Sequence, residues 1–358
     1  MSTELPGYSI WVIIINGNKF PDTTFQQAQS CNKTVFSGWL FEGLKDNWMS
    51  DGETRWNTAE KKAREAAEDD QESRARAQDR ESHEQTPTSS EKSLTSGERD
   101  SVAEHSKLSS LTVYSIIMRE GEKELKRPII SLWWSGVAAG FGISTSVLAE
   151  GIIRSNLGSD HAYLTLIESL GYSFGFVLVI LCRLQLFTEN TISVVLPILA
   201  EPTRTRFYCT ARLWGVVLAA NFCGTFMIAA IAVHGGILTA DTFAAVLEIS
   251  RHLAALTPTE TLLRGIPSGF FIAAIVWMLP SSKGSEVLVI VMFTWLIAAG
   301  DFTHVIAGSN EIFTLVLNGE MNFSTALIYH ISPVLVGNIL GGTGLFAMLA
   351  YGQVHEEM

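Results

Sequence analysis

Two apolar runs in this chain are too short for what they begin. Ser169–Cys182 and Val287–Gly300 are each fourteen uncharged residues, and each stops at a polar knot, RLQLFTEN at 183–190 and DFTHVIAGSNE at 301–311. Each resumes as a further apolar half, at 191–199 and 312–317. A helix needs about 20 apolar residues to cross the roughly 30 Å of bilayer hydrocarbon, so neither run spans comfortably alone. Irregular backbone is tolerated at that depth only where protein buries it or where it lines a cavity. The two knots are therefore expected to face each other across a protected path, away from lipid.

Four further uncharged runs, 128–149, 213–233, 265–279 (extended towards Glu260 and Ser282) and 329–354, bring the expected crossings to six. Lys123, Lys126, Arg127, Arg204, Arg206, Arg212 and Lys283 fall in alternate linkers, whereas the opposite linkers lean acidic with Asp160, Asp241 and Glu320 beside Arg154 and Arg251. The excess of cations on the cytoplasmic side of membrane proteins then places both termini in the cytoplasm. The halves also repeat. Phe187-Thr188 is echoed by Phe302-Thr303, and Asn221-x-x-Gly224 by Asn338-x-x-Gly341, with 34 and 36 residues from Phe to Asn. Three crossings per half is odd, so the second copy must be inverted. Interrupted segments at matching places in inverted halves point to a transport site.

Ahead of these spans the composition changes. Residues 1–110 read as a charged tail expected to be disordered, since 51–108 lack the bulky apolar residues of a core. Met49 opens a stretch typical of a soluble N-terminus, so 1–48 read as an over-extended start. Leu111, Tyr114, Ile117 and Met118 recur at helical spacing, which predicts an amphipathic juxtamembrane helix over 111–128, with an interfacial anchoring role, before a transmembrane domain at 129–353. The net charge of −11 belongs mostly to the tail. No basic stripe interleaved with aromatics appears, which argues against a nucleic-acid partner. Cys31, Cys182, Cys209 and Cys223 form no CxxC pair, so neither a disulfide nor a metal site is expected, and no cofactor is implied. The HExxH signature is absent and no catalytic residues are assigned, so the chain does not read as an enzyme.

LFTENTI after an apolar half-helix, GDFTHVIAG 115 residues later, the GEKEL approach to the first span and VGNILGG in the last together resemble the formate/nitrite transporter family over roughly 120–353. The resemblance implies an all-α membrane protein: six transmembrane helices in an inverted three-plus-three repeat, an aquaporin-like subunit with its second and fifth helices broken at the pore. It also implies a homopentamer in the bacterial inner membrane, passing small monovalent anions such as formate or nitrite. Leu186, Phe187 and Thr188 match the family's first loop, and His304 its central pore histidine. Tyr172 and Ile297 fall at the paired constriction, where aromatics are usual, and Asn221 and Asn338 match glycine-neighbouring asparagines expected to pack. This chain departs from the family at several places, as in a divergent branch. The lysine before the fourth span is missing, with only Arg251 and His252 nearby. Gly308 and Thr303 stand where an asparagine and an acidic residue are usual, and Arg183, Gln185 and Glu189 make the first loop more polar.

Imidazole titrates nearest neutral pH, so His304 is expected to donate a proton, or strong hydrogen bonds, to an arriving anion that Thr188 orients. Arg183 at membrane depth requires a partner, Glu189 or Glu311, unless it attracts the anion itself. Asp301 either tunes His304 or caps the following half-helix. Glu150 and Glu168 read as interfacial, and Arg264 as near a boundary or vestibule. A neutral-solute channel of the same fold, and a membrane sensor or scaffold working through its tail, are the competing readings.

Overall fold

The computed structural model describes residues 108–158 and 163–358, so the expectations for the tail lie outside the described residues apart from its last three positions. Ten helices follow in order. α1 (Ser110–Leu125) precedes α2 (Ile129–Leu157), α3 (Leu164–Leu181) and the short α4 (Asn190–Ala200). Next come α5 (Arg204–His234), α6 (Ala240–Ala254) and α7 (Pro258–Ser281). α8 (Glu286–Ala299), α9 (Val305–Leu317) and α10 (Phe323–Glu357) complete the chain. Five of these, α2, α3, α5, α7 and α10, are long and apolar enough to cross a membrane. The remaining crossing is shared by α8 and α9, whose 14 and 13 residues add to roughly 40 Å at 1.5 Å per residue.

α1 starts where Ser109 Oγ accepts from Thr112 N at 3.1 Å, and it buries Val113, Tyr114, Ile117, Gly121 and Leu125, one stripe at three- and four-residue spacing. Its start is tied to the end of α10, Gln353 Nε2 donating to Ser110 Oγ at 2.8 Å, so the two lie on one face of the bundle, the termini face. Alternating helix direction places α6 and the 318–322 linker on the opposite, far face.

In the first half α2 packs on α5, and in the second α7 packs on α10. Both crossings are close for the same reason. A Cβ on Gly140 would collide with the Asn221 carbonyl, and one on Gly269 with the Asn338 carbonyl. Small residues at helix crossings let backbones approach where lipid supplies no hydrophobic drive between helices. α10 widens into π-helical turns at Ala326–Ile331 and Leu340–Ala347, the second bringing Thr343 Oγ1 to the Thr191 carbonyl at 2.6 Å. α6 was not foreseen. It reads as a linker between spans, yet it is capped by Thr239, which accepts from Thr242 N at 3.2 Å, and it packs its apolar face on α2 and α9.

Candidate functional site

The two broken helices end in the same way. α3 closes with Arg183 N donating to Ile180 O (3.0 Å) and Leu184 N to Val179 O (3.0 Å); α8 closes with Asp301 N to Ala298 O (3.0 Å) and Phe302 N to Ile297 O (2.9 Å). This is the glycine-type helix stop, but here Arg183 and Asp301 take the left-handed position, each with φ of 53°, the only non-glycine residues with positive φ among those described. Each extended stretch that follows is then clamped by one asparagine. Asn221 donates to Gly136 O and Gln185 O, both at 2.8 Å, and accepts from Phe187 N at 2.9 Å. Asn338 donates to Gly265 O (2.9 Å) and Thr303 O (3.0 Å) and accepts from Val305 N at 2.8 Å. The clamps thus satisfy the backbone groups that the breaks release. They bracket Leu186 in one loop and His304 in the other. The structural register therefore pairs Phe187 with Val305, so the Phe-Thr match between the loops is a coincidence of sequence.

His304 meets the first loop directly: Thr188 Oγ1 and His304 Nε2 are 2.8 Å apart, and both residues are buried. His304 also caps α9, its Nδ1 accepting from Ala307 N at 3.2 Å. With that lone pair occupied by a donor, the imidazole proton sits on Nε2 and is offered to Thr188, whose own hydroxyl proton is then free for a third group. Phe176 stands edge-on to the imidazole with centroids 5.0 Å apart, and Tyr172 tilts against Phe176 at 5.1 Å. Ile297 and Leu186 are buried in the same apolar cluster, which also takes in Phe187, whose ring packs on Trp214 at 5.5 Å. Behind His304 a small cavity is lined by Leu253, Gly308, Ser309, Ile312, His330 and Val334.

The charges of the loops are arranged differently from the expectation. Arg183 takes neither expected partner. The helix stop turns its side chain outward, 78% exposed, where it pairs with Glu120 of α1 at 2.8 Å rather than with Glu189 or Glu311. Glu189 precedes α4 without capping it, and one of its carboxyl oxygens is buried with no hydrogen bond. Asp301 neither caps α9, a place His304 occupies, nor bonds to His304. It pairs with Arg264 and lies 3.2 Å from His252 Nε2. Arg251 is committed elsewhere, to Glu320, whose carboxyl its hydrogen bonds of 2.7 and 2.8 Å hold below the usual carboxylate range. Glu150 and Glu168 are buried within the chain.

Phe176 went unnoticed because an apolar residue inside an apolar run carries no signal of its own. Only its spacing of four from Tyr172, one face of α3, marks it in retrospect.

Residues 111–352 match the family described as formate/nitrite transporter. The chain is 41% identical over 249 residues to the inner membrane protein YfdC of Escherichia coli strain K12, covering 69% of this chain and 80% of that one. To the formate channel FocA of Haemophilus influenzae it is 26% identical, covering 62% and 85%. Among solved structures, a pentameric formate channel with formate bound superposes with a TM-score of 0.55 at 20% identity, over 64% of this chain and 98% of that one. An FNT family ion channel superposes with a TM-score of 0.58 at 15% identity, over 68% and 98%.

Proposed function

The chain belongs to the formate/nitrite transporter family, a family of transporters rather than enzymes, and from that premise we propose that it passes small monovalent weak-acid anions, formate or nitrite among them, through the Thr188–His304 contact. The observation that carries the reading is that contact itself, 2.8 Å between two buried polar side chains contributed by two separately broken helices. Bringing an ion out of water costs of order several kcal/mol even after relaxation. With its oxygen engaged by the Nε2–H of His304, the Thr188 hydroxyl offers an arriving oxyanion a donor where the surrounding apolar residues, Phe176, Leu186 and Ile297, offer none.

The assembly is a homopentamer with one path per subunit, a reading supported by the superposed pentameric formate channel. It lies in the inner membrane as a multi-pass protein, as the similarity to an inner membrane protein supports. The cation-rich linkers support a termini face turned towards the cytoplasm.

The test is a flux panel on protein reconstituted in lipid vesicles, comparing formate, nitrite and glycerol at two pH values. Formate or nitrite uptake is expected and should be lost in His304→Ala with assembly intact. Uptake unchanged in that variant removes the role of His304. Glycerol uptake without either anion moves the chain to the neutral-solute reading.

A further inference from the structure

The far-face half of the bundle holds buried acidic groups that Thr188 and His304 do not use. Glu150 on α2 and Glu311 on α9 are each 8% exposed and lie within electrostatic range of one another. Among the described residues neither carboxyl makes a hydrogen bond. The cation best placed to neutralise Glu150 is Arg154, one turn along α2, and it is turned elsewhere. Its guanidinium donates twice to Glu168 on α3, both at 2.8 Å, and once to Glu248 on α6 at 2.7 Å. Glu311 sits seven residues beyond His304, two turns along one face of α9, about 10 Å along its axis.

A third buried polar group lies within electrostatic range of the same two carboxyls. Tyr172 on α3 is 6% exposed, its hydroxyl makes no hydrogen bond among the described residues, and the charges it senses are those of Glu150 and Glu311. Its backbone is fixed. Ser146 Oγ donates to the Tyr172 carbonyl at 2.5 Å, and Gly171 lies flush on α2, where an added Cβ would come within 2.8 Å of Glu150 N. From Tyr172 the aromatic line runs through Phe176 to His304.

Two carboxyls near one another and away from water share a proton rather than both ionising. His304, by contrast, holds one proton on Nε2 and uses Nδ1 as a helix cap, so it has no second proton to release. We infer that Glu150 and Glu311, with the Tyr172 hydroxyl, form a proton-binding site at the far mouth of the path, and that this site protonates a weak-acid anion before it passes the aromatic constriction. The inference rests on the transport reading above for the identity of the acceptor. The carboxyl O–H proton moves to the anion's oxygen, a neutral acid passes Phe176 and His304, and water on the far face reprotonates the pair. On the termini face the acid ionises, so one proton accompanies each anion. Glu168 and Glu248, held by Arg154, add negative charge around the mouth, which turns away the anion that has not been protonated.

The first test needs no substrate. Infrared difference spectra of the full chain in lipid, titrated from acid to alkaline pH, should show a protonated-carboxyl band that shrinks in Glu150→Gln and Glu311→Gln and vanishes in the double variant. In Tyr172→Phe the band should shift. A band missing from the unsubstituted protein, or unchanged in the double variant, overturns the inference, as does sodium-dependent uptake in place of proton binding; an unmoved band in Tyr172→Phe removes the tyrosine from the site. In vesicles, internal pH and labelled formate are followed together. The double variant is expected to lose the proton signal and labelled formate uptake together, and either one unchanged from the unsubstituted protein overturns the inference. A protein that shows the band but moves no anion sinks the transport reading and leaves the proton site standing, whereas anion flux without the band does the reverse.

Discussion

Around 183–188 and 301–305 the chain performs one manoeuvre twice and fills it with opposite chemistry. Both loops follow a half-helix stopped by a charged residue in the left-handed conformation, and both are clamped by an asparagine whose amide reaches a glycine carbonyl on the crossing helix. At the bracketed position one loop has Leu186 and the other His304. At the stop one has Arg183, paired with α1, and the other Asp301, paired with Arg264. What is common is what a broken helix needs in hydrocarbon, namely partners for its freed backbone groups. What differs is open to selection for function. The comparison thus divides the knots into scaffold and chemistry, a division that motif spacing alone blurred.

The division breaks most sharply at the clamps. Asn221→Ala and Asn338→Ala each strip three buried hydrogen bonds. At about 1 kcal/mol for each such bond, each should cost roughly 3 kcal/mol. Thermal denaturation in detergent should show similar losses for the two variants. A large loss in only one of them would mean that the halves are not supported alike. Next in size is His304, where cap and pore role can be separated. Asparagine is a good N-cap, so His304→Asn should retain most of the stability that His304→Ala loses, about 1 kcal/mol. Formate uptake should disappear in both, and uptake retained in the asparagine variant would reduce His304 to a cap.

Glycine at the stops sharpens the contrast further. Arg183→Gly relieves a left-handed side chain, worth about 1 kcal/mol, and gives up only an exposed pair, so its melting temperature should hold or rise with flux retained. Asp301→Gly gains the same relief but strands Arg264, so it should melt lower than Arg183→Gly. Equal melting would mean that the Arg264 tie contributes nothing. The smallest effect belongs to the far-face linker. The carboxyl of Glu320 is held low by Arg251, so the tie contributes stability at pH above the ordinary carboxylate range and loses it as pH falls through the lowered value. Hydrogen exchange across 318–322 should quicken only under strongly acidic conditions, and Glu320→Gln should remove that pH dependence.

Much of this was legible because membranes restrict the options. Interrupted apolar runs in matching places led to the six crossings, the inversion and the facing of the two knots, while the family resemblance singled out Thr188 and His304. The loop charges were misread for a physical reason. Position in the sequence placed Arg183 between two apolar halves, but a helix stop reverses the side chain's direction, and no motif announces a left-handed arginine. The acidic group at the far mouth was dispersed over α2, α3 and α9, with Glu150 and Glu168 each looking like the end of a span. Only three-dimensional packing brings them to one place, and only there does the commitment of Arg154 to other partners become visible.

The asparagine clamps also bear on how the chain is made. Asn221 holds only groups of α2 and the first loop, and Asn338 only groups of α7 and the second, so each half carries all the fastenings its own loop requires. The first three crossings can therefore settle into their final shape in the bilayer while the ribosome is still producing the rest. The contacts between halves, such as Thr188 with His304 and Thr225 with Ser309 at 2.9 Å, close afterwards. Two separate chains divided in the linker between α5 and α6 should find each other in the same membrane and rebuild the path.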